Sequence, residues 1–278
     1  MSRALILALV LPPLASAATA PDSPDHANHF QAEPITASGI TVSASSAFAR
    51  QQEAKLKLKL ANATDHFVLV QKNGARIAMD SGEFVATNRE GVKVIDPASD
   101  GGHTFVFADT GGQLHQSGMT LRIEGVSLVT TKVPPVEAAP FTLPLTTNKV
   151  EAGGFSCVPK GKVKQATDQT SAKFECTYLG AAGTVGLIRS DAITVAIPDG
   201  KDFANEAGEP IKLLLPGESE TIEVKTTVIQ PKPHGVDMQF TELTLLWNDA
   251  LLSVEVQPVT FPDWTFTLDV ALTDEKNQ

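Results

Sequence analysis

Tyrosine and tryptophan are scarce in this chain, with one and two respectively among 278 residues. A sugar-binding face stacks its ligand on Trp or Tyr, so this scarcity argues against carbohydrate binding. Local enzyme signatures are missing too: there is no Gly-x-Ser-x-Gly, no His-Glu-x-x-His and no phosphate-cradling glycine loop. Carboxylates are plentiful, however, so a hydrolase with dispersed acidic residues stays open as one alternative. Basic residues are outnumbered, 22 against 32 acidic ones, for a net charge of −10. That balance disfavours nucleic acid and anionic membranes as partners, and favours cations or basic partners.

Long apolar runs are confined to the N-terminus. Arg3 supplies a positive start, Ala4–Leu14 a short apolar core, and Ala15-Ser16-Ala17 a small-residue cleavage pattern, which together read as a signal peptide. The core contains Pro12 and Pro13 and is too short to span a bilayer. No later segment is apolar enough to be transmembrane. The expected product is exported, to the periplasm or beyond, and loss of Arg3 makes it one unit more acidic. Cysteine is almost absent as well. In an oxidising compartment the two that occur, Cys157 and Cys176, are expected to form a disulfide. It closes a loop of about 20 residues, worth roughly 3 kcal/mol by chain entropy.

Helical periodicity is the last absence; only Ser46–Lys55 and Phe203–Glu209 are expected to hold short helical turns. From Ile35 onward the period is two. Lys55-Leu56-Lys57-Leu58-Lys59-Leu60 alternates strictly, which on a strand puts every Leu on one face. Asn62-Ala63-Thr64-Asp65 supplies turn residues, and Lys72-Asn73-Gly74 reads as a hairpin between His66–Gln71 and Ala75–Asp80.

The chain also repeats itself. Ala54–Asn88 lies over Ala172–Glu206 at an offset of 118, matching Leu56 with Phe174, Leu58 with Cys176, Leu60 with Tyr178 and Ile77 with Val195. At an offset of 119, Val92 matches Ile211, Lys93 matches Lys212, Pro97 matches Pro216, His115 matches His234 and Met119 matches Met238. A repeat this long is a duplicated domain. The expected organisation is a signal peptide (1–17), a flexible lead-in (18–34), a first module (35–132), a proline-rich linker (133–140), a second module (141–271) and a tail (272–278). Short strands with turn signals every 8–12 residues predict an all-β protein of two tandem antiparallel β-sandwiches.

Two features carry a resemblance: the alternating strand before Asn62-Ala63-Thr64-Asp65, and the turn Pro216-Gly217-x-Ser219-x-Thr221 leading into Ile222-Glu223-Val224. Each module resembles the immunoglobulin-like domains of exported bacterial proteins over residues 35–270, at the level of a common superfold. Module one departs from it, with Pro97-Ala98 for Pro-Gly. The cysteines are too close in sequence for the bridge of antibody domains, so the resemblance implies that they join the first two strands of module two. Such domains adhere, space or scaffold.

Candidate site residues follow from these readings. The recurring pairs His115-x-x-x-Met119 and His234-x-x-x-Met238 offer imidazole and thioether, a ligand set for Cu(I), the one cofactor considered. The competing reading makes both Met residues core and both His residues loop. His26-x-x-His29 with Asp22 and Asp25 offers loose divalent-metal ligands or a disordered polar tail. Asp96 with Asp100, and Asp199 with Asp202 and Glu206, form loose acidic groups. Asn62-Ala63-Thr64 is a formal glycosylation acceptor or simply a turn. Phe261 and Trp264, flanking Pro262, are the expected hydrophobic anchors for a partner. The favoured function is a non-enzymatic protein-interaction or structural module of the cell envelope or surface. Its partner would bind along a sheet edge or between the modules. A periplasmic copper-binding protein is the second alternative.

Overall fold

The computed structural model describes residues 23, 25–130, 136–143, 149–198, 201–208, 211–227 and 237–277. The signal-peptide segment, the start of the linker, Asp199 and His234 lie outside them. Within them the chain is all-β, paired antiparallel throughout, with one α-helix.

The largest sheet runs in the order β7 (Gly82–Val85), β6 (Ala75–Met79), β10 (Gly118–Ile123), β24 (Trp264–Leu268), β1 (Asn28–Gln31), β3 (Ile40–Ala49), β4 (Glu53–Asn62), β9 (Asp100–Ala108), with β2 (Ile35–Ala37) paired to β3. A second sheet runs β20 (Ile211–Leu214), β17 (Thr184–Arg189), β23 (Leu251–Val259), β11 (Val126–Val129), β5 (Phe67–Gln71), β8 (Val92–Ile95). The third holds β12 (Phe141–Leu143), β22 (Leu243–Leu246), β18 (Thr194–Ala196) and β19 (Asp202–Ala204). The fourth holds β13 (Val150–Ala152), β14 (Phe155–Pro159), β16 (Gln169–Tyr178) and β15 (Lys164–Gln165), with β21 (Ser219–Thr227) on the other side of β16.

Alternation explains the layers. In β4, Leu56, Leu58 and Leu60 are buried while the three lysines between and before them face out. They join Phe105, Phe107, Ile40, Val42 and the inward faces of β5 and β11 in one core. A second core gathers Phe141, Phe174, Tyr178, Leu245 and Trp247. A third, smaller one gathers Phe67, Leu69, Val129, Val185, Leu187, Leu252 and Val254 on the remaining face of the six-stranded sheet. That sheet therefore joins the two halves of the chain.

Several expectations change. Lys72-Asn73-Gly74 does not close a hairpin: β5 pairs with β11 and β8, whereas β6 pairs with β10 and β7, so the turn carries the chain from one sheet to the other. Added bulk at Gly74 would meet the Glu124 carbonyl at 2.4 Å, so glycine is needed for this close crossing. The lead-in is not wholly flexible, because Asn28–Gln31 is a sheet strand between β24 and β3. Residues 46–55 lie on β3, β4 and the bend between them rather than on helical turns, and 203–204 on β19. The tail contains α1 (Val270–Lys276), capped by the Asp269 side chain accepting from the Leu272 amide.

The largest change concerns the C-terminus. The strand expected to finish the second module, β24, instead lies between β10 and β1 in the sheet of the N-terminal half. The preceding strand, β23, reaches across. Its first residues pair with β17 and its last with β11. Alternating Trp264, Phe266 and Leu268 announced a strand, but alternation is silent about which sheet a strand joins.

The ladders show how the duplication is arranged. The β5–β8 pairs Val68–Ile95, Leu69–Val94, Val70–Lys93 and Gln71–Val92 recur as Gly186–Leu214, Leu187–Leu213, Ile188–Lys212 and Arg189–Ile211. Ile77 and its counterpart Val195 lie opposite Leu121 and Leu245, which makes β10 and β22 equivalent. Opposite β10 lie Trp264, Thr265 and Phe266 of β24; opposite the matching positions of β22 lie Phe141, Thr142 and Leu143 of β12. Only one strand changes halves: β12 opens the second module and stays in it, whereas β24, from the far end of that module, fills the equivalent place in the N-terminal sheet.

Candidate functional site

In the six-stranded sheet two open edges meet. Five antiparallel steps separate β8 from β20, so these two edge strands run antiparallel to each other. They face across a cavity of about 620 Å³ lined by Phe67, Val94, Asp96, residues 211–214, and Glu218, Ser219 and Glu220. No hydrogen bond joins the two strands among the described residues. Phe67, Ile211 and Leu213 belong to the third core, so the seam opens onto apolar side chains. Val94, on the β8 edge, is 39% exposed.

Two other pairs of edges are closed. Asn88, after β7, accepts from the Val106 amide and donates to the Thr104 carbonyl, both at 2.9 Å, and Ala86 bridges Phe107. Asn205, after β19, does the same to β21: its Oδ1 accepts from the Lys225 amide at 2.8 Å and its Nδ2 donates to the Glu223 carbonyl at 3.3 Å. Closing an edge removes a template for adventitious pairing. The seam has no such clamp.

Its charges are mostly negative. Lys212 Nζ donates to Glu220 Oε1 at 2.6 Å, and Glu218 Oε2 accepts from the Leu215 amide at 2.8 Å. Asp96, at the end of β8, is exposed. Two of the three carboxylates are thus held in structural bonds, which leaves little for acid–base work.

The sequence-derived candidates fall elsewhere. Cys157 and Cys176 are directly opposite on β14 and β16 and form a disulfide. Met119 and Met238 are buried in the two main cores. The ladder position of Met119 in the second half is taken by Leu243, so the two His/Met pairs are not equivalent in the fold. His115 meets the other histidine candidate: its Nε2 is 2.9 Å from His26 Nδ1, with the rings at 83°. One nitrogen must donate to the other. His29 lies on β1 against Phe48, its pKa lowered first by burial and then by Lys276. Among the described residues, no three His, Cys, Asp or Glu side chains gather as metal ligands.

Phe261 and Trp264 are buried in the N-terminal core, and Trp264 Nε1 donates to the Glu33 carbonyl at 2.7 Å. They are core side chains rather than exposed anchors, because β24 is an interior strand. Asn62 is buried, donating to the His66 and Asp96 carbonyls and accepting from Thr64, so its amide is consumed by the turn. Asp100 pairs with Lys59, and Glu206 Oε1 accepts from the Thr227 amide.

The seam residues escaped the sequence reading. The strand pattern placed β8 and β20 but held no information about which strands lie at a sheet edge. The chain matches no protein-family model and no curated protein sequence.

Proposed function

We propose that this chain is an exported, non-enzymatic protein-interaction module of the cell envelope or surface. It consists of two fused immunoglobulin-like β-sandwiches and takes up an extended segment of a partner by strand addition between β8 and β20. The observation that carries this reading is the pair of unbonded, mutually antiparallel edges facing across an apolar-floored cavity of about 620 Å³. Main-chain groups of both edges are available to a third strand, and the side-chain spacing of a strand suits the pocket below. The clamps at Asn88 and Asn205 add weight, since this chain closes other edges and leaves this one open.

Export is supported by the signal-peptide pattern, by the disulfide, and by the absence, among the described residues, of any helix long and apolar enough to cross a membrane. The copper alternative loses ground because its two sulfur ligands are core residues. The test places a photo-crosslinking side chain at Val94 or Leu213, with Val158, exposed on β14, as the control position. Adducts with one partner segment at both seam positions, and none at Val158, are expected. Adducts of equal yield at Val158, or none at the seam, would refute the site.

A further inference from the structure

The structure assigns a second binding site, for a compact, doubly charged oxyanion of the phosphate or sulfate type, between the edge strands β8 and β9. It is separate from the seam. Lys93 lies on the face of β8 opposite to that of Val94, and is paired with Val70 of the first core. From there its Nζ donates to the Gly102 carbonyl of β9, which ties the second sheet to the first. A cavity of about 580 Å³ opens at this tie, and its lining includes Lys57, Lys72, Lys93, His103 and Thr104. Separate pieces of the chain supply the cations: Lys57 from β4, Lys72 from the turn after β5, Lys93 from β8 and His103 from β9.

Charge sets this cavity apart. The chain carries a net charge of −10, yet no Asp or Glu is among the residues that line it. The neighbouring lysines of β4 are compensated, Lys55 by Glu53 and Lys59 by Asp100. Among the described residues no carboxylate pairs with Lys57, Lys72 or Lys93. His103 feels the same field. Burial first, then the charges of Lys93 and Lys72, hold its pKa below the ordinary 6.5, against the bond to the Lys72 carbonyl. Its Nε2 donates to that carbonyl at 2.9 Å, so Nδ1 is the nitrogen that takes up a second proton. Ammonium groups hold phosphate-type oxygens as point charges, and Thr104, opposite Lys57, adds a hydroxyl donor. Cations that converge from several strands on a concave surface suit a compact anion better than an extended acidic chain. A bound dianion would favour the protonated imidazole, so oxyanion and proton would be taken up together.

The test follows the imidazole resonances of the full-length mature protein by NMR through a pH titration, in sodium sulfate and in sodium chloride of equal ionic strength. Matching the ionic strength removes simple screening. Sulfate is expected to raise the His103 pKa by about half a unit or more over chloride. His29, which lies near Lys276 and Arg50, is the control and should not respond. Lys57→Gln and Lys72→Gln, made singly, should each weaken sulfate binding about threefold, and Lys55→Gln, which removes the same charge from a paired lysine, should not. A His103 pKa equal in the two salts, an equal shift at His29, or an equal loss in Lys55→Gln would overturn the site. Sedimentation with phosphatidylcholine vesicles containing phosphatidic acid separates two sources of the group. Pelleting that Lys72→Gln abolishes assigns the site to a lipid headgroup. A sulfate response without pelleting assigns it to a soluble oxyanion.

Discussion

Trp264 shows how far a single residue can mislead when read without its neighbours. A tryptophan beside Phe261 and Pro262 near the C-terminus has the composition of a surface anchor, yet its ring is packed against Phe266 in the N-terminal core. Trp264→Ala is therefore expected to cost about 3–5 kcal/mol of folding stability in urea titration. A cost below about 1 kcal/mol would mean the ring is not core. His103 gives a pH prediction. Burial, the largest influence, lowers its pKa below the ordinary 6.5, against the opposing effect of the bond to the Lys72 carbonyl. The unfolded chain thus takes up the proton first. Stability is full above 6.5 and is lost as pH falls through the lowered value. In His103→Gln, the fall in urea midpoint between about pH 8 and pH 5 should be shallower than in the parent. An unchanged slope would assign the pH dependence to other groups. Residue-level chemistry was partly legible: the disulfide and the lysine–leucine alternation stand as read. The clamps Asn88 and Asn205 were not, since an asparagine after a strand looks like any turn residue.

At the scale of elements, strand positions were readable and strand partners were not. Ala75–Met79 emerges one residue short of the Ala75–Asp80 read from the sequence. The placement of β24 and β12 depends on contacts more than a hundred residues apart, for which a period-two pattern holds no information. A chain ending at Val259 would leave β10 and β1 without the strand between them and strip Trp264 and Phe266 from the core. It is expected to lose near-ultraviolet circular dichroism and protease resistance, and to regain both when a peptide of residues 260–277 is supplied. A truncated chain as protease-resistant as the parent would contradict the interior position of β24. The disulfide can be tested against its own counterpart in the fold. Cys157 opposite Cys176 occupies the ladder position that Ala44 opposite Leu58 holds in the first half. The variant Cys157→Ala with Cys176→Leu copies that pair, so it removes the crosslink while keeping an apolar contact. A loss of about 3 kcal/mol is expected from chain entropy. An unchanged urea midpoint would show that the bond contributes nothing to the folded state.

For the whole molecule, the crossing of β23 and β24 into the N-terminal sheets makes the linker dispensable once folding is complete. Cleavage at an engineered site between Ala139 and Pro140 should leave two fragments that co-elute in size exclusion and unfold in one transition, because β23 and β24 hold them together. Fragments that separate without denaturant would disprove that crossing. The repeat itself was plain in the sequence, and so was the all-β class. What stayed hidden was that the copies are interlocked rather than strung in tandem, because equivalent strands carry the same pattern whichever half receives them. The first strand and the C-terminal helix are tied as well: Asn277 donates to the Ala27 carbonyl and accepts from its amide, at 2.8 and 2.9 Å. This layout has a consequence for biosynthesis. The first core to be translated is finished by β24, which is made only after the whole second core, so the N-terminal half cannot lock while β24 is still in the ribosome. For a chain that we propose is threaded unfolded through an export channel, the order of its strands acts as a timer, postponing commitment to the native state until β24 has emerged.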